Sequence, residues 1–135
     1  MTMRTYVNYP GTCAEAFRYY ETHLGGRIGM LMTHAQSPGP NRVPPELKDG
    51  VLHARIAIGA TELMGADIPN AQPMRSAYLS LSVDSDADAQ RIFAALADGG
   101  EVFMPLQETF FASRFAQLRD RFGINWMIMC ERPRA

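Results

Sequence analysis

The chain has 135 residues, 47% of them hydrophobic and 20% charged, with a formal net charge of −1. That is one domain's length, enough to bury a core without disulfide or metal staples. A near-neutral balance gives generic nucleic-acid or acidic-membrane binding no electrostatic support, and no apolar run approaches the roughly 18 residues that span a bilayer.

In chain order, Arg4 to Tyr9 predicts a strand rich in β-branched and aromatic residues, stopped by Pro10-Gly11. Thr12 with Glu15 three residues later forms a capping-box pattern. A helix follows to about Leu24, with Cys13, Ala16, Phe17, Tyr20 and Leu24 on one stripe and Gly25-Gly26 as its stop. Arg27 to Thr33 is the second strand. His34 to Asp49 carries four prolines and is expected to be a long loop, mobile or a lid. Val51 to Ile58 and Thr61 to Ala66 are strands around a Gly59-Ala60 turn, and Asp67 to Ser76 is a linker.

The pattern then restarts. Ala77 to Val83 is a strand, Asp84-Ser85-Asp86 a helix start, and Ala89, Ile92, Phe93 and Leu96 the apolar stripe of a helix ending at Gly99-Gly100. Glu101 to Met104 is a short strand and Pro105 to Ser113 a loop. Arg114 to Arg121 and Ile124 to Glu131 are the final strands, joined at Phe122-Gly123. Ala14–Tyr20 sits against Ala87–Phe93 as an internal repeat, so each half reads β, α, β, β, β. One helix covers only one face of its sheet. The expected fold class is therefore α+β: two βαβββ modules, residues 1–68 and 76–135 of a single domain, with curved mixed sheets meeting around a cleft.

Candidate chemistry concentrates in Gln107-Glu108-Thr109-Phe110-Phe111, which joins an amide, a carboxylate and a hydroxyl to two aromatic rings. A ligand site needs apolar walls and a few polar anchors, and this loop supplies both. Glu108 is the candidate catalytic base if desolvated; tying the loop to the backbone is its plainer role. Trp126 is expected in the core, and Met127, its strand neighbour, in the cleft. Arg114, Arg119 and Arg121 cluster with Asp120, as an anion site or a solvated strand pair. His23 suits a helix end, His34 opens the loop, and His53 either lines the pocket or packs. Nine methionines fill core space or line an adaptable pocket. Cys13 and Cys130 make no zinc or redox spacing and read as reduced, small buried hydrophobes. Met1 to Tyr9 lacks the pattern of a secretion signal, so a cytoplasmic location is expected.

Two runs carry a family resemblance. Tyr6-Val7-Asn8-Tyr9-x-Gly11-x-Cys13-Ala14-Glu15-Ala16-Phe17-x-Tyr19-Tyr20-x-x-x-Leu24-Gly25-Gly26 resembles the opening of the PhnB-like proteins, a branch of the vicinal oxygen chelate superfamily that includes glyoxalase I, bleomycin- and fosfomycin-resistance proteins and extradiol dioxygenases. Gln107–Phe111 followed by Asp120-x-Phe122-Gly123-x-x-Trp126-Met127 resembles the same branch's C-terminal signature, and Gly59-x-x-Glu62-Leu63-Met64-x-x-Asp67 its middle strand. The resemblance implies the paired-module fold. It also implies four strand positions that hold a divalent ion in metal-dependent members, and gapless counting puts Thr5, Met64, Tyr78 and Met127 there. Imidazole or carboxylate donors are missing from that set, so no metal and no cofactor are expected. The same counting turns Thr5, Val7 and Tyr9 toward the cleft. With Met64, Tyr78, Gln107, Phe110, Phe111 and Met127 they form the expected substrate-binding set. The function this implies is metal-free binding of a small organic molecule by a homodimer. The alternatives are a lyase- or isomerase-like enzyme using Glu108, or a dimeric scaffold with a vestigial pocket.

Overall fold

The computed structural model describes residues 1–39 and 43–132. The chain divides into two compact units, Met1–Gln72 and Pro73–Ala135, each with one helix and one sheet.

Unit 1 contains β1 (Thr5–Tyr9), α1 (Cys13–Leu24), β2 (Arg27–Thr33), β3 (Val51–Ile58) and β4 (Thr61–Asp67). Its sheet order is β1-β4-β3-β2, with β1 parallel to β4 and the other pairs antiparallel. Cys13, Ala16, Phe17 and Tyr20 form the buried stripe of α1, as the helical spacing predicts. Phe17 lies so close to Gly65 that a Cβ there would meet its ring at 2.9 Å, so the glycine sets the spacing between helix and sheet.

Unit 2 repeats the plan with β5 (Leu79–Ser82), α2 (Asp86–Ala97), β6 (Glu101–Gln107), β7 (Ala112–Arg119) and β8 (Asn125–Glu131). Its order is β5-β8-β7-β6, with β5 parallel to β8. Ala89, Ile92 and Leu96 are the buried stripe of α2. Ser85 caps that helix, its side chain accepting from the Asp88 N–H at 3.1 Å.

Three local expectations change. The first concerns Thr12. Its side chain makes no cap hydrogen bond, and its Oγ1 is buried without a partner. The carboxylate of Asp67, from the end of β4, takes the capping role: Oδ1 accepts from the N–H groups of Gly11 (3.0 Å) and Cys13 (2.9 Å). A tertiary anion at the N-terminus of α1 has displaced the local cap. The second is β6, which runs through Pro105 to Gln107 instead of ending at Met104. β6 is an edge strand, where a missing N–H is tolerated. β7 accordingly starts at Ala112, two residues before the expected Arg114, leaving only residues 108–111 as the connection. The third is the segment 34–49, which is partly regular. His34–Gln36 and Pro45–Leu47 are 3-10 turns, Leu47 is buried, and His34 N–H and Ala35 N–H bond to Gly50 O (2.9 Å) and Lys48 O (2.8 Å). Residues 40–42 of that segment lie outside the described residues.

Candidate functional site

Each helix covers one face of its sheet, and the opposite face is left uncovered by its own unit. Which residues stand there follows from register. Tyr6 pairs with Met64, and Met64 with Arg55. Val7 and Tyr9 are buried; the Tyr9 ring meets Phe17 edge-on and its hydroxyl donates to Tyr20 Oη at 3.3 Å. Thr5, on the same side of the strand, pairs with Leu63. The expected orientation of Thr5, Val7 and Tyr9 is therefore reversed by one residue: they face α1, and Tyr6 and Asn8 stand on the open side. Asn8 was only a partial signal: an amide does not belong under a helix whose stripe is apolar, but Thr5 on the opposite face is polar as well.

The open face of unit 1 carries a connected polar network. Tyr6 Oη lies 3.1 Å from His53 Nδ1, and the two rings stack with centroids 5.7 Å apart. Arg55 Nε donates to His53 Nε2 at 3.2 Å, and Arg55 Nη1 donates to Glu62 Oε1 at 3.1 Å. Arg4 Nε approaches the same carboxylate oxygen at 3.6 Å. Met64 is adjacent to both Tyr6 and Arg55, Met30 pairs with Arg55, and Met32 with His53. The sequence reading left His53 open and missed Tyr6 and Arg55. His53 and Arg55 alternate along β3, and only the assembled sheet brings Tyr6 of β1 to them.

In unit 2, Met127 pairs with Ser80 and Gln117 on the open side, while its neighbours Trp126 and Ile128 are buried. Tyr78, just before β5, meets the Phe103 ring edge-on with centroids 6.5 Å apart. Arg119 lies over the same Phe103 ring at 5.4 Å. It donates to Met74 O at 2.7 Å and to Asn125 Oδ1 at 3.0 Å, so it clamps the segment preceding β5. Arg114 pairs with Asp86 and Arg121 with Asp98. The three arginines are thus spread over different partners.

The loop between β6 and β7 is a tied turn. Thr109 N–H donates to Ala112 O at 2.9 Å, and Ala112 N–H to Thr109 Oγ1 at 3.1 Å. Gln107 is exposed at its start and pairs across the sheet with Phe115. Phe110 is 93% exposed, and Phe111 packs against Phe115 with centroids 5.1 Å apart. The Glu108 side chain is 67% exposed and pairs with Arg132 at 2.9 Å. Its unit does not give it the desolvation that a cleft base requires; the carboxylate instead holds the turn to the chain beyond β8. Asp120 is the buried counterpart. Its Oδ1 accepts from Phe122 N–H (2.9 Å) and Ile124 N–H (3.0 Å), and its Oδ2 from Trp126 Nε1–H (2.8 Å).

Comparison with known proteins places this geometry. The family model of the Glyoxalase/Bleomycin resistance protein/Dioxygenase superfamily matches residues 6–128. The chain belongs to that superfamily. Protein YjdN of Escherichia coli K12 is 30% identical over 140 residues, covering 95% of this chain and 94% of its own. The crystal structure of protein PA1353 from Pseudomonas aeruginosa is 39% identical, with a TM-score of 0.87 over 98% of this chain and 99% of that one. A PhnB protein from Bacillus cereus, described as a putative 3-demethylubiquinone-9 3-methyltransferase, has a TM-score of 0.80 at 21% identity, covering 96% and 99%. At that identity the likeness is one of fold. Two four-stranded mixed sheets, each with its helix, are the glyoxalase/bleomycin resistance fold.

The superfamily implies a divalent ion in some members, and the donor chemistry here does not fit one. Once the register is corrected, the residue beside Met64 is Tyr6 and the residue beside Met127 is Ser80. A phenol, a hydroxyl and two thioethers lack the imidazole or carboxylate donors that a hard or borderline cation takes. Among the described residues no group of three or more His, Cys, Asp or Glu is placed to hold a metal ion.

Proposed function

We propose that the protein is a metal-independent, PhnB-like member of the glyoxalase/bleomycin resistance superfamily that binds a small organic molecule on one of its open sheet faces. The observation that carries this reading is the make-up of those faces. Within each unit taken by itself, rings and thioethers (Tyr6, His53 and Met64 in unit 1; Tyr78, Phe103 and Met127 in unit 2) lie beside a few fixed polar groups. Apolar walls with sparse, convergent polar anchors are what a small-molecule site needs. Methionine adds a surface that adapts to varied apolar shapes. The enzyme reading built on Glu108 is not favoured, because that carboxylate is solvated and paired.

The test is a thermal-shift screen of small aromatic and apolar metabolites and antibiotics. Compounds that raise Tm in a dose-dependent way, equally in EDTA and in added Mn²⁺ or Zn²⁺, are the expected result. A chain that responds to no compound, or that gains stability only with a metal, rejects the reading.

A further inference from the structure

The polar network on the open face of unit 1 has a direction. Arg55 Nε can only donate, so His53 Nε2, 3.2 Å away, accepts. The neutral imidazole then carries its proton on Nδ1, which donates to Tyr6 Oη at 3.1 Å. A doubly protonated ring would instead set an N–H against the Arg55 guanidinium. A phenol oxygen that accepts from an imidazole has its own proton left to give. Partial burial, and secondarily the nearby Cys13, hold the Tyr6 hydroxyl above its usual range, so it remains a donor.

The surroundings define what could accept that proton. Arg4 and Arg55 share the single carboxylate of Glu62, so the network holds two cations against one anion. An oxygen carrying negative charge is favoured there over a cation. The neighbours by register are Met30, Met32 and Met64, and the Tyr6–His53 ring pair supplies a flat aromatic surface. Tyr6 is 45% exposed, so its hydroxyl is reachable. Arg119 of unit 2 offers no equivalent, because it is committed to Met74 O and Asn125.

We propose that Tyr6, oriented by His53 and Arg55, is the hydrogen-bond donor of a site for small aromatic carboxylates. The carboxylate oxygen accepts from Tyr6 Oη, and the ring packs among the methionines. Tyr6 is the contact residue; His53 and Arg55 are positioning residues. The inference rests on the small-molecule reading above and deepens it by naming the ligand class and the donor.

Benzoate is the probe and benzamide its neutral counterpart, both titrated into the full chain and followed by amide chemical shifts. Benzoate is expected to shift the amides of β1, β3 and β4 and to bind at least about tenfold more tightly than benzamide. Removing one hydrogen bond to a charged acceptor in Tyr6→Phe is expected to weaken benzoate about tenfold. Arg55→Met is expected to weaken it as well. Imidazole ¹⁵N shifts are expected to report His53 protonated on Nδ1, and Arg55→Met to redistribute that proton, a readout that general destabilisation would not move. Failure of benzoate to bind, equal affinity for benzamide, an unaffected Tyr6→Phe, or an Nε2–H tautomer would each overturn the proposal. If other compounds stabilise the wild type and Tyr6→Phe alike, the site is wrong and the broader reading stands; if no compound does, both fall.

Discussion

Asp120 is 4% exposed, yet it anchors three groups: two backbone N–H donors of the β7–β8 turn and the indole of Trp126. The Asp120-x-Phe122-Gly123-x-x-Trp126 run is therefore a structural motif, in which one carboxylate closes the turn and orients the ring. In Asp120→Asn an amide N–H would face the Trp126 N–H, leaving a buried donor unpaired. That variant is expected to lose about 1–3 kcal/mol, read by urea unfolding with the fluorescence of the chain's one tryptophan. Cys13 illustrates a second buried effect. Burial, with the neighbouring Asp67 carboxylate, pushes its thiol up to about 12. Below the usual thiol range both folded and unfolded chains hold the proton, so the contribution is constant there. Above it the unfolded chain ionises first, so stability falls with rising pH until the folded thiol titrates too. Cys13→Ala is expected to flatten the alkaline limb of the stability profile relative to wild type, as measured by thermal melts between pH 8 and pH 11.

Among the elements, strands and helices were legible wherever periodicity was strong. Val51–Ile58 and Arg27–Thr33 stand at the expected bounds, and both helical stripes are buried as the spacing requires except at Leu24 and Phe93, which are half-buried. What was not legible was reach. Asp67 reads locally as the first linker residue, but the fold makes it the last residue of β4. There it ties the entry of α1 and, through Oδ2 at 2.8 Å, the Val51 N–H at the start of β3. No local pattern announces a cap that arrives from a distant strand. Asp67→Ala strips three hydrogen bonds from buried or half-buried backbone, so a loss of about 3 kcal/mol or more is expected. Native-state hydrogen exchange should show the Cys13 and Val51 amides opening faster than the rest of their elements. β6 shows the converse limit: Pro105 reads as a strand breaker, and the position of β6 at the sheet edge, with the pairing irregular between Met104 and Gln107, removes the penalty.

For the whole molecule, the donor chemistry predicts that metal removal changes nothing. Dialysis against EDTA, followed by Zn²⁺ or Mn²⁺, is expected to move Tm by less than about 1 °C, since a ligand without a site has no preference for the folded chain. The sequence by itself determined the α+β class, the repeated β-α-β-β-β plan and the superfamily. These rest on periodicity, turn residues and ordered motifs, which are properties of neighbours along the chain. Tertiary structure alone decided which face of β1 is open, and with it the exchange of Thr5, Val7 and Tyr9 for Tyr6 and Asn8. Strand periodicity is two, so a one-residue error in counting moves every side chain to the other face. It also decided that Tyr6, His53, Arg55 and Glu62 form one network, because hydrogen bonds between strands depend on register, and register is set only when the sheet is assembled.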